Sequence, residues 1–229
     1  MDFVLMETGK QALVLDFGGV ISRTLFETHH VTEQALGLAP GTLTWRGPFD
    51  PASDPLWVDM QENRITERDY WNIRIAEISS RFGERWEMSD FVRRARGDDP
   101  ISTMRPEAVK TIEAAAAAGK RLAILSNELD LFYGKGFTGR FPLLSVFDVV
   151  VDATYTGILK PDPRAYELCL DALKLPADQC VFVDDQRRNI DGAVHVGMST
   201  VHFDVRAPKE SYARALAKLG LSSDVLAEI

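Results

Sequence analysis

Five short apolar runs punctuate the chain: Ala12–Leu15, Leu122–Leu125, Val149–Val151, Val181–Val183 and Thr200–Phe203. Each has the length of a strand, and the first is apolar throughout, as suits a strand covered on both faces. The stretches between the later runs read as helices. Pro106 suits a first helical position, Ala114 to Ala118 extend that helix and Gly119 ends it, while Asp162 and Pro163 cap and start another. Strands alternating with helices of this length need right-handed crossovers. They predict an α/β fold with a doubly wound, parallel, five-stranded sheet.

The interval after the first run breaks this rhythm. Pro40-Gly41, Gly47-Pro48, Pro51 and Pro55 cut it into short pieces, and all four tryptophans, Trp45, Trp57, Trp71 and Trp86, fall inside it. Its clearest element starts at Thr66, an N-cap with Asp69 three residues on and with Ile65 and Tyr70 placed to staple the first turn. That helix is expected to stop near Gly83 and to present Tyr70, Ile73, Ile78 and Phe82 on one apolar face. Residues 23–98 therefore read as an inserted helical cap with a tryptophan-packed core, and residues 1–22 and 99–229 as the α/β domain. Gly97-Asp98-Asp99-Pro100 reads as the return linker. A tryptophan roofing a substrate pocket is the functional alternative to packing.

Composition narrows the classes. The 229 residues, 45% of them hydrophobic, suffice for one full core and a small second module. A net charge of −8 argues against a surface built to neutralise a nucleic-acid backbone or anionic lipid, while leaving room for a local phosphate pocket. No apolar run approaches membrane-spanning length, and the opening residues carry acids where a secretory signal carries bases, so a cytoplasmic location is expected. Cys169 and Cys180 have neither metal-site spacing nor a disulfide framework and read as buried thiols.

Three strand ends carry polar residues: Asp16 before Gly18 and Gly19, Ser126 with Asn127, and Asp184 with Asp185. In a parallel sheet these ends share one edge, where ligands bind. Each alone could be a cap or a turn former, but three together are a harder coincidence. Lys160, held extended by Pro161, adds a positioned cation. Three carboxylates, a lysine and a hydroxyl beside backbone amides suit phosphoryl transfer through an aspartyl intermediate with Mg²⁺. Hard oxygens attract the metal, and metal and lysine offset the repulsion between a carboxylate and a phosphate dianion.

These residues resemble the haloacid dehalogenase (HAD) superfamily, mostly phosphatases. Asp16-Phe17-Gly18-Gly19-Val20 is similar to its nucleophile motif, Leu125-Ser126-Asn127 to the second, Lys160-Pro161-Asp162-Pro163 to the third, and Val183-Asp184-Asp185-Gln186-Arg187-Arg188-Asn189 to the metal motif. The resemblance implies a flavodoxin-like core with a small helical cap after the first motif, and Mg²⁺-dependent hydrolysis of a small phosphorylated metabolite. It makes Asp16 the nucleophile, places Ser126, the Asn127 amide and Lys160 on the phosphoryl group, and gives Mg²⁺ to Asp16, Asp185, the Gly18 carbonyl and Asn189 or Asp184.

The chain departs from that pattern at Gly18, where superfamily phosphatases usually carry a second Asp that protonates the leaving oxygen. Losing such an acid costs about 10²–10⁴-fold unless the leaving group is intrinsically good or another group donates. A similar Asp-x-Gly pattern occurs in a subgroup resembling glucose-1-phosphate phosphatases, which points to a sugar phosphate or another activated phosphate; His29 or His30 of the cap is a candidate substitute donor, set against the plainer reading of both as surface histidines. Two other readings remain. A 2-haloacid dehalogenase also lacks the second Asp, but family dehalogenases need no metal and typically carry small uncharged residues where Asp184 and Asp185 stand. A catalytically silent binding module would leave Asp16, Lys160 and Asp185 as costly charges with nothing to serve.

Overall fold

A computed structural model describes residues 9–96 and 100–229, so positions 97–99 of the expected linker lie outside the described residues. The strands are β1 (Ala12–Leu15), β2 (Arg121–Ser126), β3 (Val149–Asp152), β4 (Cys180–Asp184) and β5 (Ser199–His202), all parallel in the order β3-β2-β1-β4-β5. Phe203 falls just past β5, where its ring meets Tyr212 edge-on at 5.0 Å. The helices before β2 are α1 (His29–Ala35), α2 (Pro55–Gln61), α3 (Glu67–Ser79), α4 (Met88–Arg96) and α5 (Pro106–Ala117). Then come α6 (Leu129–Tyr133), α7 (Phe137–Arg140), α8 (Ala153–Thr156), α9 (Pro163–Leu173), α10 (Arg187–His195) and α11 (Pro208–Lys218).

Alternation along the strands sorts the core into two layers. Leu13, Leu15, Leu122, Ile124, Val181 and Val183 face α5 and α11, whereas Ala12, Val14, Ala123, Leu125 and Phe182 face α9 and α10. Each Leu, Ile, Val or Phe side chain among them, fully withdrawn from water, contributes about 1.5–3 kcal/mol, which fixes the sheet edge as a rigid frame. Cys169 and Cys180 are buried thiols, as their spacing suggested. Among the described residues, no helix is long and apolar enough to cross a membrane.

A third cluster, drawn from Leu25 to Ala95, contains all four tryptophans together with Phe26, Tyr70 and Phe91. The capping box forms as expected: Asp69 N donates to Thr66 Oγ1 at 3.1 Å and Thr66 N to Asp69 Oδ2 at 3.0 Å. Gly83 closes the segment with φ +64. The buried face of α3 differs from the expected one, being Tyr70, Trp71, Ile75 and Ile78, while Ile73 and Phe82 are 38% and 39% exposed. The reason is geometric. After Ser79 the chain tightens into a 3₁₀ turn, Ser80–Phe82, which changes the phase and swings Phe82 out, and Ile73, two residues past the buried Trp71, stands about 200° round the helix from it.

His29 lies inside this aromatic cluster, 4.6 Å from the Trp45 ring centroid, and neither ring nitrogen has a hydrogen-bond partner. Burial, with the Arg46 charge adding to it, pushes its pKa down to about 4. An unfolded chain protonates this histidine near pH 6.5. Between about pH 6.5 and 4 the unfolded state therefore binds a proton that the folded state refuses, and stability falls as pH falls through that window. His29→Leu should lose less melting temperature than the parent when both are taken from about pH 7 to about pH 5; equal losses in thermal melts would contradict this.

Candidate active site

The nucleophile loop follows directly from how β1 ends. Asp16 N donates to Val183 O at 2.9 Å, extending the ladder one residue past the strand and holding Asp16 at the sheet's carboxyl edge. Gly19 then turns with φ +82, and a Cβ there would lie 2.6 Å from Asp185 Oδ2. Only glycine lets the loop and the Asp185 carboxylate approach this closely. Arg105, 3% exposed, pins the same loop by donating from Nε to Gly19 O at 3.0 Å and pairing with Glu27 at 2.6 Å. Gly19→Ala should displace Asp185 and cut divalent-metal affinity by about tenfold or more, the scale of a disturbed ligand shell; calorimetric titration with Mg²⁺ showing parental affinity would refute it.

Lys160 is 1% exposed, and its Nζ lies 2.7 Å from Asp16 Oδ1 and 2.7 Å from Asp184 Oδ2. Asn127 fixes it by the backbone: Lys160 N donates to Asn127 Oδ1 at 2.7 Å, and Asn127 Nδ2 donates to Lys160 O at 3.2 Å. The same Nδ2 reaches Glu67 Oε2 at 3.0 Å, tying the sheet edge to the first turn of α3. Asp184 is saturated, accepting from Gln186 N at 2.8 Å and from Asn189 Nδ2 at 3.1 Å to each oxygen, besides Lys160. Asp184 thus steadies the lysine, and Asn189 stands behind Asp184 with its Oδ1 lacking a hydrogen-bond partner. Asp185 faces the cavity, which Asp16, Gly18, Ser126 and Asn127 also line.

Carboxylate oxygens of Asp16, Asp184 and Asp185 lie within 4.8 Å of one another. Burial pushes the Asp16 carboxyl up to about 7 against the pull of Lys160, with Asp184 and Glu67 adding to the rise. Burial and the same carboxylates lift Asp185 well above the usual range. Burial alone would discharge Lys160, but Asp16 and Asp184 outweigh it and keep its ammonium charged. One ammonium does not balance the three carboxylates. The donor set, all hard oxygens with the Gly18 backbone beside them, fits Mg²⁺.

The model of the haloacid dehalogenase-like hydrolase family matches residues 10–197. The chain is a member of that family. The hydrolase is 30% identical over 120 residues to Phosphatase MT3486 of Mycobacterium tuberculosis, covering 52% of this chain and 55% of that protein. It is 33% identical over 119 residues to (S)-2-haloacid dehalogenase 1 of a Pseudomonas species, covering 52% of each. The match thus spans about half the length of these two curated relatives. With acyl-CoA dehydrogenase family member 10 of the mouse it is 35% identical over 107 residues, only 10% of that protein. The L-2-haloacid dehalogenase structure from Xanthobacter autotrophicus shares its fold at 21% identity and TM-score 0.57, over 96% of this chain and 88% of that one. So does a HAD phosphatase from Thermococcus onnurineus, at 21% identity and TM-score 0.52, over 85% and 86%.

The cap side of the hydrolase's cavity holds groups that no sequence motif marks. Glu128, 4% exposed, pairs with Arg68 Nε at 3.1 Å, and burial, with Glu67 adding to it, pushes its carboxyl up to about 8. Trp57 and Trp71 line the cavity as well as packing in the tryptophan cluster. The candidate histidine donors do not line it. His29 is sealed in the cap core and neutral at pH 7, and His30 is exposed and away from the lining. At Gly18 a Cβ would meet no atom within 4 Å, so a carboxylate there would fit but is not supplied.

Proposed function

We propose that this chain is a Mg²⁺-dependent phosphomonoester hydrolase acting through an aspartyl-phosphate on Asp16. The observation that carries the reading is the charge balance: three carboxylates within 4.8 Å of one another, served by Lys160, with the Asp185 side chain lacking a hydrogen-bond or ion-pair partner among the described residues. Such a cluster is costly unless a cation joins it. Asp16, Asp185 and the Gly18 carbonyl would hold Mg²⁺, with Asn189 steadying Asp184 behind them. Bound there, the metal would supply positive charge against the carboxylates and the incoming phosphate.

The chain's own residues do the rest. An Asp16 oxygen forms the new bond to phosphorus as the bond to the leaving oxygen breaks. Lys160 keeps Asp16 oriented and neutralises a phosphoryl oxygen, and Ser126 Oγ and the Asn127 N–H donate to others. Water then cleaves the aspartyl-phosphate, returning Asp16 and releasing inorganic phosphate. The cavity of about 70 Å³ has room for about five water-sized positions, which suits a small metabolite.

The test is phosphate release from a panel of phosphate esters, sugar 1-phosphates included, with Mg²⁺ and with chelator. Release that needs the metal is the expected result. Chloride release from 2-chloropropionate in the presence of chelator, with no ester turned over, would replace this reading with a dehalogenase.

A further inference from the structure

The cavity's outer wall is built of aromatic rings. Phe26, Trp57, Trp71, Phe132 and Tyr133 line it together with Asp16. They brace one another: Phe26 meets Trp57 at 5.3 Å and 84°, Trp71 meets Phe132 at 5.5 Å and 89°, and Tyr70 backs Trp71 at 5.1 Å. Edge-to-face pairs of this kind hold a cage in shape before a ligand arrives, so little ordering cost is left for binding.

Several polar groups in the same wall are engaged with one another. Ser22 Oγ lies 3.2 Å from Tyr133 OH, which also accepts from Arg96 at 2.7 Å. Thr24 Oγ1 donates to Glu27 at 2.9 Å, Glu128 is held by Arg68, and Glu67 accepts from Asn127. A sugar carries several hydroxyls, each needing a partner once it leaves water. Arg23 and Gln186 line the cavity too, but apolar surface makes up the larger part of its lining.

Gly18 points the same way. With no carboxylic acid at position 18, departure leans on the leaving group's own acidity or on another donor. A phenolic oxygen, with a pKa of about 10, departs as an anion far more readily than an alcohol-like oxygen nearer 16.

Resting on the phosphatase reading above, we propose that the substrate is an aryl phosphate monoester, whose ring stacks in the cage of Phe26, Trp57, Trp71, Phe132 and Tyr133 while its phosphate meets Asp16. In the first step the Asp16 oxygen–phosphorus bond forms and the aryl oxygen–phosphorus bond breaks, its electron pair staying on the phenolate, which takes a proton from solvent. In the second, a water oxygen bonds to phosphorus, the Asp16 bond breaks, and phosphate leaves.

Trp57 and Trp71 supply the readout, because their fluorescence reports a ligand against them. In the presence of Mg²⁺, phenylphosphonate, which cannot be hydrolysed, should bind about tenfold or more tightly than the methylenephosphonate analogue of glucose 1-phosphate. Phe132→Ala, at a half-buried ring, should lower the ratio of phenylphosphonate to inorganic phosphate affinity by about tenfold, with a thermal melt confirming the fold. Trp71→Leu repeats the test at a second wall. A sugar analogue that binds as tightly as phenylphosphonate, or a ratio unmoved in both folded variants, would overturn the aromatic site. Tight phenylphosphonate binding without phosphate release from phenyl phosphate would support the aromatic site and overturn the phosphatase reading.

Discussion

Replacing Asp16 by Asn should lower turnover by about 10⁴-fold or more while leaving the fold intact. The change is nearly isosteric, so the core layers do not feel it, and the amide still accepts from the Lys160 ammonium 2.7 Å away. What it removes is the nucleophile, and loss of a covalent catalyst's attacking atom leaves only the binding and electrostatic contributions of the site. Removal of one buried carboxylate also relieves repulsion within the cluster, so thermal stability should hold or rise. Steady-state rates and melts on the same preparation check both halves. Retention of more than about a hundredth of the parental rate would mean that Asp16 is not the attacking group.

The second large effect lies at Lys160. Lys160→Met keeps the length and apolar stem of the side chain but leaves Asp16 and the wholly buried Asp184 without their ammonium. Breaking a buried ion pair from one side costs about 3–5 kcal/mol, because the partner charge stays behind. Denaturant titration should show a loss of that size, together with near-complete loss of turnover. Adding Asp184→Asn to Lys160→Met should recover part of the stability by removing one orphaned charge, without recovering activity, since the phosphoryl group still lacks its cation. Equal stability of the single and double variants would show that Asp184 and Lys160 do not act as a pair.

The sheet was legible because its strands announce themselves. β1 spans the apolar run Ala12–Leu15, and burial on both faces leaves no room for polar positions in such a strand. The residues at its carboxyl edge were legible for the same reason: three strand ends of a parallel sheet must share an edge, and Asp16, Ser126 and Asp184–Asp185 stand at or just beyond them. The Thr66–Asp69 capping box is a local signal and formed as read. Features that depend on tertiary meetings were not legible. Glu67, Arg68 and Glu128 come together only when the cap folds over the sheet edge, and no spacing along the chain brings positions 67 and 128 into register. Asn127 suggested a backbone amide for the phosphate, whereas its side chain is also the clamp that fixes Lys160. The plainer reading of the two histidines as surface residues holds for His30 and not for His29, because nearness in sequence to Asp16 says nothing about which way α1 turns, and it turns His29 against Trp45.

The most direct test of the central claim is to catch the aspartyl-phosphate. Position 18 carries no carboxylate to activate the attacking water, so with a good leaving group cleavage of the intermediate should limit turnover and the intermediate should accumulate. The enzyme would be mixed with phenyl phosphate and Mg²⁺, quenched rapidly in acid, digested and analysed by mass spectrometry. A phosphoryl group on the peptide that carries Asp16, absent from Asp16→Asn, is the predicted result. An unmodified Asp16 peptide during active turnover, or an Asp16 ester of a 2-haloacid carbon skeleton formed without metal, would contradict it.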